Sequence, residues 1–127
     1  MSSPQTLTAW TVGLILFCVL AEVGTQLNFK AAADGARPER PVASLLSQPI
    51  LWIGILLWAI EAVAWLLVLE HARLAVAFPI MTLTYAATPL AAGLVLGEEL
   101  TRGQKIGAAM IALGVMVVAL SDFRGAA

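Results

Sequence analysis

Four long apolar stretches take up most of this chain and dictate what it can become. They run from about Thr8 to Phe29 (AWTVGLILFCVLAEVGTQLNF), from just after Pro49 to Leu69, from Leu74 to Leu96, and from Gln104 to Leu120. Crossing the hydrocarbon core of a bilayer takes ~20 apolar residues in a helix, so each stretch is long enough to span. The stretches are continuous rather than alternating, which excludes the two-residue period of a membrane β-barrel. Composition closes off the other classes. The chain is 61% hydrophobic and 12% charged with a mean hydropathy of +0.93, against roughly 45–50% apolar and about 25% charged in soluble domains. A water-soluble globular fold is excluded, and so is disorder, whose signature is low hydrophobicity. The expected architecture is an all-α integral membrane protein: a single transmembrane domain over 1–127, with four helices near 8–30, 50–69, 74–96 and 104–121. No Lys or Arg precedes the first stretch, and it exceeds the ~7–15 residues of a signal-peptide core, so it reads as a retained helix.

The net charge is −1, from 7 basic and 8 acidic residues, so there is no basic field for nucleic acid. The single Cys18 leaves no disulfide framework or thiolate metal site, and His71 sits in a charged connector beside Glu70 and Arg73. No zinc, phosphate-loop or nucleophile-elbow pattern occurs. The expectation is a protein without cofactor or metal that is not an enzyme. AAADGARPERPVASLLSQ, with its prolines and charges, reads as a loop. Lys30, Arg37, Arg40, Arg102 and Lys105 lie on the side of the first and third connectors, against Arg73 and Arg124 on the other side. The positive-inside rule puts the richer side in the cytoplasm and both termini outside.

A few polar residues lie inside the apolar stretches. A charge at the centre of a spanning helix costs ~2.5–3.5 kcal/mol on insertion scales, and such residues usually face a polar cavity or pair with one another. Glu22, Thr25, Gln26, Asn28 and Lys30 fall within nine residues of the first helix, a density that a lipid-facing surface does not carry. Glu22 and Gln26, four apart, share a face. Glu61 lies near the middle of the second helix with Trp58 three before it and Trp65 four after it. Indole faces attract cations and a carboxylate adds Coulomb attraction, so this trio suits a cationic head group. The alternative is that Glu61 neutralises Lys30 within the bundle. In the third helix, Pro79, Thr82, Thr84, Tyr85, Thr88 and Pro89 describe a bent segment lining a cavity, since each proline frees a carbonyl that only neighbours or water can satisfy. Any one threonine can equally bond back to its own helix. Gly103, Gly107, Ala108, Ala112 and Gly114 make the fourth helix a small-residue ridge suited to close helix contact.

Leu20-Ala21-Glu22-Val23-Gly24-Thr25 resembles the first-helix signature of the small multidrug resistance family within the drug/metabolite transporter superfamily. Ile106-Gly107-Ala108-Ala109-Met110-Ile111-Ala112-Leu113-Gly114-Val115 is similar to that family's dimer-forming fourth helix. The resemblance covers nearly the whole chain. It implies a four-helix bundle whose membrane-embedded glutamate, here Glu22, binds protons and cationic substrates in competition. Gly24-Thr25-Gln26-Leu27-Asn28-Phe29-Lys30 and Ala77-Phe78-Pro79-Ile80-Met81 look more like the flippase subunits that move aminoarabinose-phosphoundecaprenol. The third helix lacks the tryptophan of the drug exporters, and Glu61 is an acid they usually lack. The resemblance therefore implies a flippase of the bacterial inner membrane moving a lipid-linked, amine-bearing polyprenyl phosphate or similar lipid. Glu22, Gln26, Lys30 and Glu61 would line its path, with Thr25, Trp58, Trp65 and Tyr85 beside them. The competing reading is a proton-coupled exporter of organic cations or polyamines using Glu22; a third is an accessory subunit that only steadies a partner. Four helices are few for alternating access, which uses two related halves. A homo- or heterodimer with a similar four-helix subunit is expected, in fixed orientation given the charge bias.

Overall fold

The computed structural model describes residues 7–125, and its described residues form six helices without a strand. The first helix, α1 (Ala9–Asp34), starts where Thr8 turns extended and its hydroxyl accepts the Thr11 amide at 3.2 Å, satisfying one of the orphan donors of a helix start. The helix continues past Lys30, where the sequence reading ends it. Ala31-Ala32-Ala33 are the strongest helix formers, and Lys30 pairs with Asp34 one turn on at 2.7 Å. It stops at Gly35, whose amide returns to the Ala31 carbonyl at 3.2 Å.

The stretch expected to be a loop holds a short helix, α2 (Pro41–Leu46). It begins at a proline because a first-turn residue needs no amide and proline's fixed φ suits the helix. The same device starts α3 (Pro49–His71). After Ala72 and Arg73 comes the third span, broken at Thr82 into α4 (Leu74–Met81) and α5 (Leu83–Val95). Pro79 removes one rung of the ladder. The Thr82 amide divides between the Phe78 and Pro79 carbonyls at 3.1 Å each, and its hydroxyl also donates to the Pro79 carbonyl. The bend expected from the prolines is thus present. Past α5, Gly97 adopts φ 71°, a left-handed turn that suits glycine and swings Glu98 back towards α1. The last helix, α6 (Arg102–Gly125), begins two residues before the sequence reading. The Gln104 side chain accepts the Thr101 amide at 2.8 Å, and the Thr101 hydroxyl accepts the Gln104 amide at 3.2 Å, a reciprocal capping box.

Four spans result: Ala9–Asp34, Pro49–His71, Leu74–Val95 and Arg102–Gly125. The most extensive packing is α1 on α3; α1 also meets α4 and α5, and α6 packs on α4 and α5. Glycines let α1 and α3 approach closely: a Cβ on Gly54 would fall 2.8 Å from the Phe29 ring. Ile15, Cys18 and Val19 of α1 meet Ala64 and Val68 of α3, Val76, Ala77 and Ile80 of α4, and Val115 of α6 in one apolar core. Outside it, Leu20, Leu66, Leu94, Val117 and many others are exposed. On a water-soluble protein such a surface marks an interaction site or an aggregation hazard; on spanning helices it is the surface that meets lipid. Two glycines of the α6 ridge, Gly107 and Gly114, have no neighbour within 4 Å of a Cβ among the described residues, whereas Ala108 and Ala112 of the same ridge are half-buried.

Candidate functional site

The site is built where α1, α3 and α5 meet. Glu61, on the face of α3 turned towards α1, is buried at 7% exposure. Its Oε2 has no hydrogen-bond partner among the described residues. From α1, the Glu22 carboxyl lies within electrostatic reach of Glu61, and the buried Cys18 thiol one turn earlier also feels that group. Glu22 Oε1 accepts a hydrogen bond from Gln26 Nε2 at 2.7 Å, the contact its four-residue spacing predicts.

Glu22 also opens onto two adjoining cavities against the broken span. One, of about 330 Å³, is lined by Glu22, Gln26, Thr84, Tyr85, Thr88 and Pro89. The other, of about 170 Å³, adds Phe78, Met81 and Thr82. Pro89 cannot donate to the Tyr85 carbonyl one turn back, so backbone polarity is released beside the larger cavity. Tyr85 is itself exposed, turning an aromatic face and a phenol towards the space in front of Glu22. Phe78 and Met81, which the sequence reading names only within a run that carries the resemblance, are wall residues of the site. Their spacing from Tyr85, seven and four positions, carries the signal, because residues so spaced share a helix face.

Several expected members are not brought to this site. Lys30 lies at the cytoplasmic-side end of α1 by the charge rule, bonded to Asp34 at 2.7 Å and facing Glu98 of the α5–α6 connector at 3.9 Å. It neither lines the cavities nor neutralises Glu61, because two turns of helix separate it from Glu22 and nearer carboxylates claim it. Thr25 is fully buried and donates to the Ala21 carbonyl at 2.9 Å. Asn28 likewise donates to the Gly24 carbonyl, at 2.7 Å. Both satisfy the backbone rather than a ligand. Trp58 is 55% exposed and faces outward, whereas Trp65 is half-buried and packs on the apolar core. The two indoles that the spacing sets beside the carboxyl therefore stand in different surroundings. Seven residues is close to two full turns of an α-helix that repeats every ~3.6, so both indoles lie to the same side of the buried stripe on which Glu61 sits, one turned outward and the other against the core. No group of three or more His, Cys, Asp or Glu able to hold a metal occurs among the described residues.

Four helices long and apolar enough to span, around a pair of acids on facing helices, define a small polytopic membrane protein with a glutamate-lined cavity. Comparison with known proteins gives the family. A protein of Pectobacterium atrosepticum named "Probable 4-amino-4-deoxy-L-arabinose-phosphoundecaprenol flippase subunit ArnE" is 33% identical over 105 residues, covering 81% of this chain and 91% of its own. Proteins of the same name from Pseudomonas fluorescens and Salmonella paratyphi C are each 30% identical, over 107 residues (83% and 92% of the two chains) and 110 residues (84% and 96%) respectively. No protein-family model matches the chain, and no solved structure does. The chain belongs to the ArnE family of flippase subunits, and it is a multi-pass protein of the bacterial inner membrane.

Proposed function

We propose that this chain is one subunit of a flippase that carries a lipid-linked aminosugar phosphate across the inner membrane, and that Glu22 and Glu61 receive the amine. The observation that carries the reading is the pair itself. Two carboxyl groups lie together on facing helices, and the nearest lysine in the chain, Lys30, is bound elsewhere. Carboxylates that close, in a medium that solvates neither, persist only with a proton or a cation between them. The protonated amine of an aminosugar is such a cation. It reaches Glu22 through the cavities beside Tyr85 and leaves its hydrocarbon tail in the bilayer. The cavity of about 330 Å³ suits one sugar-sized head and not the polyprenyl chain. A transport subunit of this kind performs no covalent chemistry. The partner is a second four-helix subunit that supplies the other half of the path, since two related halves alternate around one site.

The test is transport by the reconstituted protein together with its partner. Mass-tagged aminosugar-phosphate polyprenol should move between leaflets, and Glu22→Gln, which keeps shape and hydrogen bonding but cannot ionise, should abolish movement at unchanged expression and assembly. Cells expressing the protein should gain no resistance to methyl viologen or ethidium. Wild-type flipping by Glu22→Gln, or resistance that this variant loses, would overturn the reading, the latter in favour of a cation exporter.

A further inference from the structure

A second site lies at the C-terminal end of α1, about three turns beyond Glu22. The turn after α1, the short helix α2 and the start of α3 enclose a crevice of about 390 Å³ lined by Arg37, Arg40, Ser44, Ser47 and Gln48, with Gly35 at its edge. Hydrogen bonds to its own backbone hold the crevice in shape. Gln48 Nε2 donates to the Ala32 carbonyl at 2.9 Å and to the Ser44 carbonyl at 3.3 Å, tying α3 to the last turn of α1. The Arg37 amide donates to Ser44 Oγ at 2.9 Å, and Ser47 Oγ donates to the Ser44 carbonyl at 2.8 Å. A Cβ on Gly35 would sit 2.9 Å from the Gln48 amide oxygen, so a larger residue there would move the Gln48 side chain.

The serines and the glutamine are thereby spent on the loop. The two guanidinium groups are not: neither Arg37 nor Arg40 has an ion pair among the described residues, and the neighbouring Glu39 pairs with neither. Two unpaired guanidinium groups on one preformed crevice match the oxygens of a phosphate, which guanidinium binds bidentately. Their place at the end of two spanning helices puts that phosphate at the membrane surface.

We propose that this crevice binds the phosphate of a lipid-linked substrate at the interface, before the amine end of the same molecule reaches Glu22. The inference rests on the reading of the chain as a flippase subunit for a lipid-linked phosphate and adds to it a loading site. A lipid is the committed source because the crevice adjoins the ends of spanning helices, where an anchored phosphate is held at the height of the arginines.

The test is binding, read without transport. The purified chain in nanodiscs of neutral lipid is titrated calorimetrically with farnesyl phosphate and, separately, with inorganic phosphate. Farnesyl phosphate should bind saturably and more tightly than inorganic phosphate. Arg37→Gln with Arg40→Gln should weaken it about tenfold or more, since both charge-assisted hydrogen-bond donors are lost. The double lysine variant, which keeps charge but not the planar fork, should fall between. Glu22→Gln should bind farnesyl phosphate as the wild type does. Absence of saturable binding, equal affinity in the double glutamine variant, or inorganic phosphate binding as tightly as farnesyl phosphate would each overturn the site. Glu22-dependent flipping in a chain with any of these outcomes would leave the proposed function standing and remove only the loading site.

Discussion

At the residue scale, Glu61 is the least ordinary atom group in the chain, a carboxyl almost withdrawn from solvent with one oxygen unpartnered among the described residues. Its environment separates two roles that sequence spacing left open. If Glu61 neutralised Lys30, removing both together would restore the stability lost by removing either. Lys30 is held by Asp34 and Glu98 instead, so Glu61→Gln and Lys30→Met should act independently. A double-mutant cycle on thermal stability in detergent should give a coupling near zero, and strong mutual rescue would mean that the two charges meet after all. The tryptophans separate in the same way. Trp58 faces outward at 55% exposure, so Trp58→Leu should leave amine-substrate affinity within about twofold. An indole that does touch the cation contributes ~0.5–2 kcal/mol, so Trp65→Leu should cost about 2- to 30-fold if its ring reaches the head group. A larger loss from Trp58→Leu than from Trp65→Leu would reverse the assignment.

At the element scale, the interface of α1 with α3 sets the geometry of the acid pair, and glycine sets that interface. A side chain at Gly54 would meet the Phe29 ring, and its Cβ would stand 3.1 Å from Asn28 Cβ. Overpacking a close helix contact costs ~1–3 kcal/mol, so Gly54→Val should lower the melting temperature in detergent and weaken transport together, by prising Glu61 from Glu22. Gly107→Ala on α6 is the control, because open space surrounds that position; in the isolated chain it should leave stability unchanged. A loss in the assembled flippase alone would place that ridge at the subunit interface. The broken third span follows the same logic of local chemistry. Pro79 and Pro89 interrupt the ladder, and Pro89 with Tyr85, whose carbonyl it leaves without an amide, lines the larger cavity in front of Glu22.

At the scale of the whole molecule, the positive-inside rule sets an expectation that the arginine crevice and the Lys30–Glu98 contact face the cytoplasm. The only cysteine is fully buried, so single engineered cysteines report topology cleanly. Ser44→Cys should react with a membrane-impermeant maleimide only in inverted vesicles, and His71→Cys only in intact spheroplasts. The opposite pattern would invert the orientation, and equal labelling of each from both sides would indicate dual insertion.

Span number, the bend in the third span and the family resemblance were legible in the sequence because each depends on local terms: hydropathy over ~20 residues, proline's missing amide, and short runs of residues. Glu22 with Gln26 was legible for the same reason, being one turn apart on one helix. What the sequence could not rank was competition between partners. Whether Lys30 met Glu61 or Asp34, whether Thr25 faced a cavity or its own backbone, and whether Trp58 and Trp65 turned outward or onto the core depended on how α1 and α3 are rotated about their axes. That rotation is a property of close packing at Gly54 and Gly24, distributed over both helices and invisible to spacing along either one. The arginine crevice belongs to the same class: Arg37 and Arg40 were visible as charge, but only the folding of α2 against the ends of α1 and α3 made them two walls of one space.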